Sequence, residues 1–200
     1  MSLAERLRTA LRRGAERTPL LLPGDTPDLL VEPGEPATPA AVLVAVVDRP
    51  EPSVILTLRT DTVRRHAGQV SFPGGRIDPG DAGPIEAALR EAEEEIGLPP
   101  AAVEVIGIAD TYRTITGYQV TPVMGVVPPD LPLVAQPSEV AAIFEAPLDY
   151  LLDERNQQVR TVDWRGAERT YFEIQWQERR IWGATAAMIV NLSRRLELVS

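Results

Sequence analysis

The sequence predicts an α/β (α+β) fold, and three observations lead there. Apolar runs of strand length occur at residues 40–47, 54–58, 103–112 and 118–127. A segment with helical period, residues 84–96, lies between the second and third runs, and strands interleaved with helices in this way share one core. The chain has 200 residues, 44% hydrophobic and 24% charged, which suits a globular domain with a real core.

In chain order, residues 2–16 read as a short helix, with Leu3, Leu7 and Leu11 at a spacing of four. The segment lacks the apolar core of a signal peptide, and Glu5 and Glu16 argue against a transit peptide. Residues 18–39 are proline-rich and read as a loop or extended arm. Residues 1–39 are therefore set apart, as a helix and arm packed on or preceding a single domain of residues 40–200. The continuous apolar run 40–47 suits a central strand. Its separation from 54–58, across Pro52, predicts a hairpin. Residues 59–71 are polar and irregular and lead through Val70, Ser71 and Phe72 to Pro73, Gly74 and Gly75. Beyond the strands at 103–112 and 118–127 come a loop at 128–137 and a mixed segment at 140–153, with a short helix around 148–152. A second hairpin pairs 159–164 with 170–176, and 184–198 is a closing helix.

The helix at 84–96 carries the chemistry. Pro84 suits the first helical position, where its fixed φ fits and its missing N–H costs nothing. Ile85, Leu89, Ala92 and Ile96 recur at helical spacing and predict one buried stripe. Gly97 can close the helix in the left-handed conformation, with Leu98 packing back over it. Glu91, Glu94 and Glu95 stand at i, i+3 and i+4, so they project from one side. Three carboxylates repel one another, and the helix macrodipole disfavours negative charge near the C-terminus. The plain reading is a solvated acidic face. A bound divalent cation removes both penalties, and Mg²⁺ takes a few carboxylates together with waters and phosphate oxygens. Arg90, four residues before Glu94, can hold that carboxylate in place.

Residues 90–98, Arg-Glu-Ala-Glu-Glu-Glu-Ile-Gly-Leu, preceded by Gly74-Gly75, resemble the box of the Nudix hydrolases. The first half of the box departs from the usual pattern. Its glutamate should stand six residues after the second glycine and eight before the arginine, but these counts reach Asp81 and Ala82, so one residue is inserted. A second set of residues, Arg59, Arg64, Gly68 and Phe72 to Gly75, resembles the signature of the coenzyme A pyrophosphatase branch, with Ile55 and Thr60 as departures. The same insertion and the stretch 181–186 also resemble that branch. The resemblance spans roughly residues 40–198.

The resemblance implies a Nudix-type α/β/α sandwich with a central mixed β-sheet. It implies a pyrophosphohydrolase using Mg²⁺ or Mn²⁺ that cleaves coenzyme A or a derivative to 3′,5′-ADP and 4′-phosphopantetheine. Glu91, Glu94, Glu95 and the Gly75 carbonyl would hold metal, and Glu94, Arg90 and Glu139 would serve catalysis. Arg59, Arg64, Gly74 and Gly75 would bind substrate. Arginine grips phosphate through paired donors, although Arg59 or Arg64 could instead pair with Asp61 or a helix carboxylate. His66, Glu145 and Asp110 are weaker candidates. Trp182 and Tyr118 could stack on a base but suit core packing equally. Two alternatives stand beside this reading. One is a Nudix hydrolase of ADP-ribose, NADH or nucleoside triphosphates; the other is a non-catalytic binding module.

Composition bounds the partners. The net charge of -9 argues against a nucleic-acid polymer, whose affinity rests on cationic neutralisation of phosphates. A small phosphorylated ligand is compatible with it. All 20 basic residues are arginine, so lysine nucleophiles are excluded, and the absence of cysteine excludes thiolate chemistry and disulfides. No apolar run is long enough to span a membrane. The expectation is a cytoplasmic protein acting on a small nucleotide, with a homodimer left open.

Overall fold

The structure is a computed structural model that describes residues 1–15, 37–60, 68–114, 116–164 and 167–196. Its centre is strand β1 (Thr38–Val47), which pairs in parallel with β7 (Tyr118–Val127) along its whole length. The expected hairpin joins β1 to β2 (Ser53–Arg59), antiparallel, with Val46 opposite Val54. β5 (Glu104–Ile108) and β6 (Tyr112–Arg113) pair antiparallel with β7, and β8 (Val140–Pro147) with the free edge of β2. One parallel pair among antiparallel neighbours makes the sheet mixed, as expected.

β1 is buried on both faces, which is why it reads as an unbroken apolar run. Ala40, Val44 and Val46 face one core, and Ala41, Leu43, Ala45 and Val47 the other. The first core is covered by α1 (Leu3–Gly14), α3 (Leu148–Leu152) and α4 (Ala184–Arg195). The second is covered by α2 (Pro84–Ile96). The layers are thus α/β/α. A smaller antiparallel sheet of β9 (Gln158–Trp164), β10 (Ala167–Trp176) and β11 (Arg179–Trp182) adds Phe172, Ile174 and Ile181 to the first core.

β1 and β2 diverge past their hairpin, and residues 70–77 fill the opening. β3 (Val70–Ser71) pairs with Thr57 and Leu58 of β2. The Pro73 carbonyl then accepts from the Leu43 N–H at 2.8 Å, and β4 (Gly74–Arg76) pairs with β1. The glycine segment is therefore a rung of the sheet.

Several expectations are corrected. The strand at 103–112 is two strands, because the Ala109 N–H turns to the Pro122 carbonyl and Asp110 turns to Arg195. The mixed segment 140–153 begins with a full strand, β8. Of the expected stripe Ala92 and Ile96 are buried, but Ile85 is 38% exposed, and Ala87 and Ala88 are buried in its place. The loop at 128–137 bonds to the C-terminal end of α2, where Val134 and Gln136 N–H groups satisfy the Ile96 and Glu95 carbonyls at 2.9 and 2.8 Å. The first helix starts on a capping box, Ser2 with Glu5. Its far end is tied down by Arg195, which donates to the Gly14 carbonyl and pairs with Asp110 at 2.5 Å.

Candidate active site

Four segments converge at one edge of the second core: α2, the Gly74–Gly75 rung, the end of β2 and the turn at residues 136–139. α2 closes on Gly97 at φ 66°, and the Leu98 N–H reaches back to the Ala92 carbonyl at 3.3 Å. This fixes the last two turns of the helix, from which the three glutamates project.

Glu95 is the most buried of them, at 3% exposure. Its Oε2 accepts from the Gly74 N–H at 3.1 Å, and its Oε1 accepts from Arg59 at 3.3 Å. Burial pushes its pKa up to about 7 against the lowering effect of these two donors, and the charges of Glu91 and Glu139 add to the rise. Glu91 is half-buried, and burial raises its pKa too, although Arg90 donates to it at 3.0 Å. Its carboxylate lies on Gly75, where an added Cβ would sit 2.5 Å from the carboxyl carbon. Gly74 is equally constrained: at φ +154° a side chain there would strike the backbone of Ala41 and Val42. Glu94 is exposed and held by Arg90 at 3.2 Å.

Arg90 is the hub. Its Nε and Nη2 grip Asp81 through two bonds of 3.0 Å, Nη1 donates to Glu91 and Glu94, and Nη2 also donates to the Arg76 carbonyl at 3.1 Å. These bonds, led by that to Asp81, raise its pKa further. Asp81, only 5% exposed, is held below the usual carboxylate range by Arg90 and by the Asp78 N–H. The residue at the insertion, to which the sequence assigned no role, thus orients the arginine that orients the glutamates. The signal available was the count of six from Gly75, which reaches an acid.

The remaining candidates divide. Glu139 is half-exposed, and its carboxylate lies 4.0 Å from Arg59. Arg59 is paired with a helix carboxylate, as one of its two expected readings had it. Arg64, His66 and Asp61 lie outside the described residues. Asp110 and Glu145 are engaged elsewhere, with Arg195 and with Ser53 and Arg49 respectively. Tyr118 accepts from Arg76 at 3.0 Å, and Trp182 stacks edge-on to Tyr171.

A divalent cation fits this donor set in kind. Hard oxygen donors lie on adjacent helical turns, two of them with proton affinities raised by burial, beside a glycine whose missing side chain makes room for the Glu91 carboxylate. Among the described residues no three acids converge closely enough to hold an ion as they stand; Arg90 draws Glu91 and Glu94 to itself and Arg59 takes Glu95.

A NUDIX domain model matches residues 37–177. The chain belongs to the Nudix family. Its curated relatives include an uncharacterized Nudix hydrolase NudL of Cronobacter sakazakii, 48% identical over 157 residues, covering 78% of this chain and 82% of that protein. The NudL protein of Escherichia coli K12 is 46% identical over the same shares. A solved Nudix hydrolase from M. smegmatis, RenU, superposes on 58% of this chain and 74% of its own, with a TM-score of 0.49 and 24% identity. The chain is a Nudix hydrolase, and Nudix hydrolases generally use divalent cations. No helix among the described residues is long and apolar enough to cross a membrane.

Proposed function

We propose that this Nudix hydrolase cleaves the diphosphate of coenzyme A or its derivatives, with Mg²⁺ or Mn²⁺, to 3′,5′-ADP and 4′-phosphopantetheine. The observation that carries the reading is the meeting of two signatures. Arg59, from the stretch that resembles the coenzyme A pyrophosphatase branch, contacts Glu95, from the Nudix helix, at 3.3 Å. Arg59, read as substrate-binding, and Glu95, read as metal-binding, thus meet at one edge of the sheet.

Glu91, Glu94 and Glu95, with the Gly75 carbonyl, would hold the metal. When bound, a divalent cation supplies charge neutralisation at the diphosphate and acidifies the attacking water. The chain's own residues do the rest. Arg90, anchored on Asp81, orients Glu91 and Glu94. Gly75 makes room for the Glu91 carboxylate, and Gly74 lets the rung pack on β1 and offer its N–H to Glu95. Arg59 and Arg64 engage phosphate oxygens, including the 3′-phosphate. Glu139, half-exposed beside Arg59, would accept a proton. The substrate is a small nucleotide, in keeping with an acidic chain that gains its phosphate affinity from local arginines.

The test is a hydrolysis panel of coenzyme A, ADP-ribose, NADH and deoxynucleoside triphosphates with Mg²⁺ or Mn²⁺. Preferred turnover of coenzyme A is expected. Fast turnover of another member with none of coenzyme A overturns the substrate. No turnover of any member turns the reading toward a binding module.

A further inference from the structure

Arg59 is fixed at one end and movable at the other. Its N–H donates to the Gln69 carbonyl at 2.9 Å, and its carbonyl accepts from the Gly68 N–H at 3.2 Å. The next N–H, of Thr60, donates to the Glu139 carbonyl at 3.0 Å. Among the described residues the guanidinium has no such backbone anchor. Among the described residues it meets two carboxylates, Glu95 at 3.3 Å and Glu139 at 4.0 Å, and the side chain keeps 23% exposure.

The two oxygens of Glu95 are held unequally. Oε2 is engaged by the Gly74 N–H, part of a rigid rung of the sheet. Oε1 is engaged by the end of a flexible side chain. Oε1 is therefore the oxygen that can be given up, and a cation arriving there meets Arg59 as a like charge.

We infer that Arg59 is a resident counter-ion that a divalent cation displaces from Glu95, and that the displaced guanidinium is the group that engages a substrate phosphate. The inference rests on the proposed reading of Glu95 as a metal ligand. Cation and phosphate each claim one partner of the same ion pair. Whichever binds first breaks the pair, and the second binds without having to. The two therefore bind with positive cooperativity, and linkage makes the effect reciprocal. Glu139 gives the released guanidinium a second carboxylate to swing on, which keeps it at the mouth of the site.

The experiment is a calorimetric titration of the full chain with Mn²⁺ at mildly alkaline pH, with and without methylenediphosphonate as a diphosphate that is not cleaved. Without the diphosphonate, Arg59→Gln is expected to bind Mn²⁺ roughly tenfold more tightly than the unaltered chain, because the competitor is gone. The diphosphonate should tighten Mn²⁺ binding in the unaltered chain more than in Arg59→Gln. Arg59→Lys, which keeps the charge without the planar fork, should fall between them, and it carries the test if Arg59→Gln does not fold. Equal or weaker Mn²⁺ binding in a folded Arg59 variant overturns the inference, as does an unchanged coupling to the diphosphonate. Glu95→Gln separates the two readings. If it binds Mn²⁺ like the unaltered chain, the metal reading of Glu95 fails; if it loses Mn²⁺ while the Arg59 variants show no gain, only the displacement fails.

Discussion

Arg90 and Arg59 neutralise the same acidic helix from two sides and are held in opposite ways. Arg90 spends its donors on two helix carboxylates, on Asp81 and on the Arg76 carbonyl. It is a fixed part of the frame, because moving it would leave the Asp81 carboxylate, with its side chain 5% exposed, only the Asp78 N–H as a donor. Arg59 has a locked backbone and a guanidinium shared between two carboxylates at 3.3 and 4.0 Å. Two cations of one type thus take different work: Arg90 sets where the carboxylates stand, and Arg59, on the proposed reading, holds the place of a metal ion.

The largest effect should come from what Arg90 positions. Glu94→Gln removes a ligand charge from an exposed position with little packing to lose, so turnover should fall at least about a hundredfold with the fold intact. Near-normal kcat in that variant would remove the metal role of this helix. Next, Arg90→Gln should cost between about tenfold and a hundredfold in kcat, the range seen when outer partners of metal ligands are lost. Arg90→Lys should not restore it, since an ammonium cannot grip Asp81 with two parallel bonds. A full rescue by lysine would show that charge alone suffices. Arg59→Lys should act on the other side of the comparison, raising KM by roughly tenfold while kcat changes little, as expected for weakened ground-state phosphate binding. A loss confined to kcat would put Arg59 with the frame.

The smallest effect is one of pH. Asp81 is held below the usual carboxylate range by Arg90, so its contribution to stability is present above the ordinary aspartate pKa of about 3.9 and is lost as pH falls through the depressed value. Asp81→Asn should melt below the unaltered chain at neutral pH, and the gap should close in acid. A gap independent of pH would mean that the aspartate acts through shape alone.

Much of this frame is legible in the sequence, and the failures have physical causes. β1 announces itself because a strand buried on both faces is an unbroken apolar run, and β7 does so over its second half, residues 122–127. β3, β4 and β11 have two to four residues, too few to carry a period. Ile85 was expected inside because it is large and spaced correctly, but the face that meets the sheet is marked by alanines, whose weak hydrophobic signal hides it. The three glutamates could be named from spacing. The bond between Arg59 and Glu95, 36 residues apart, could be offered only as one of two readings, because it depends on how β2 and α2 meet. Asp81 was obscured by a single inserted residue, since a counted motif loses its meaning once the count shifts.

The alanines of α2 have a consequence of their own. Ala87, Ala88 and Ala92 are fully buried, and they meet a sheet face that carries Ala41 and Ala45. Small groups on both sides let a helix ride low, because spacing between packed elements follows the size of the side chains between them. That height sets the reach of Glu91 and Glu95 toward Gly75 and Gly74. A larger residue at Ala88 would lift the carboxylates along with the helix, and a loss of turnover in Ala88→Val measured well below its lowered melting temperature is the expected sign. The alanines work as a gauge block, and drift toward bulk at these positions would show first as a defect of reach.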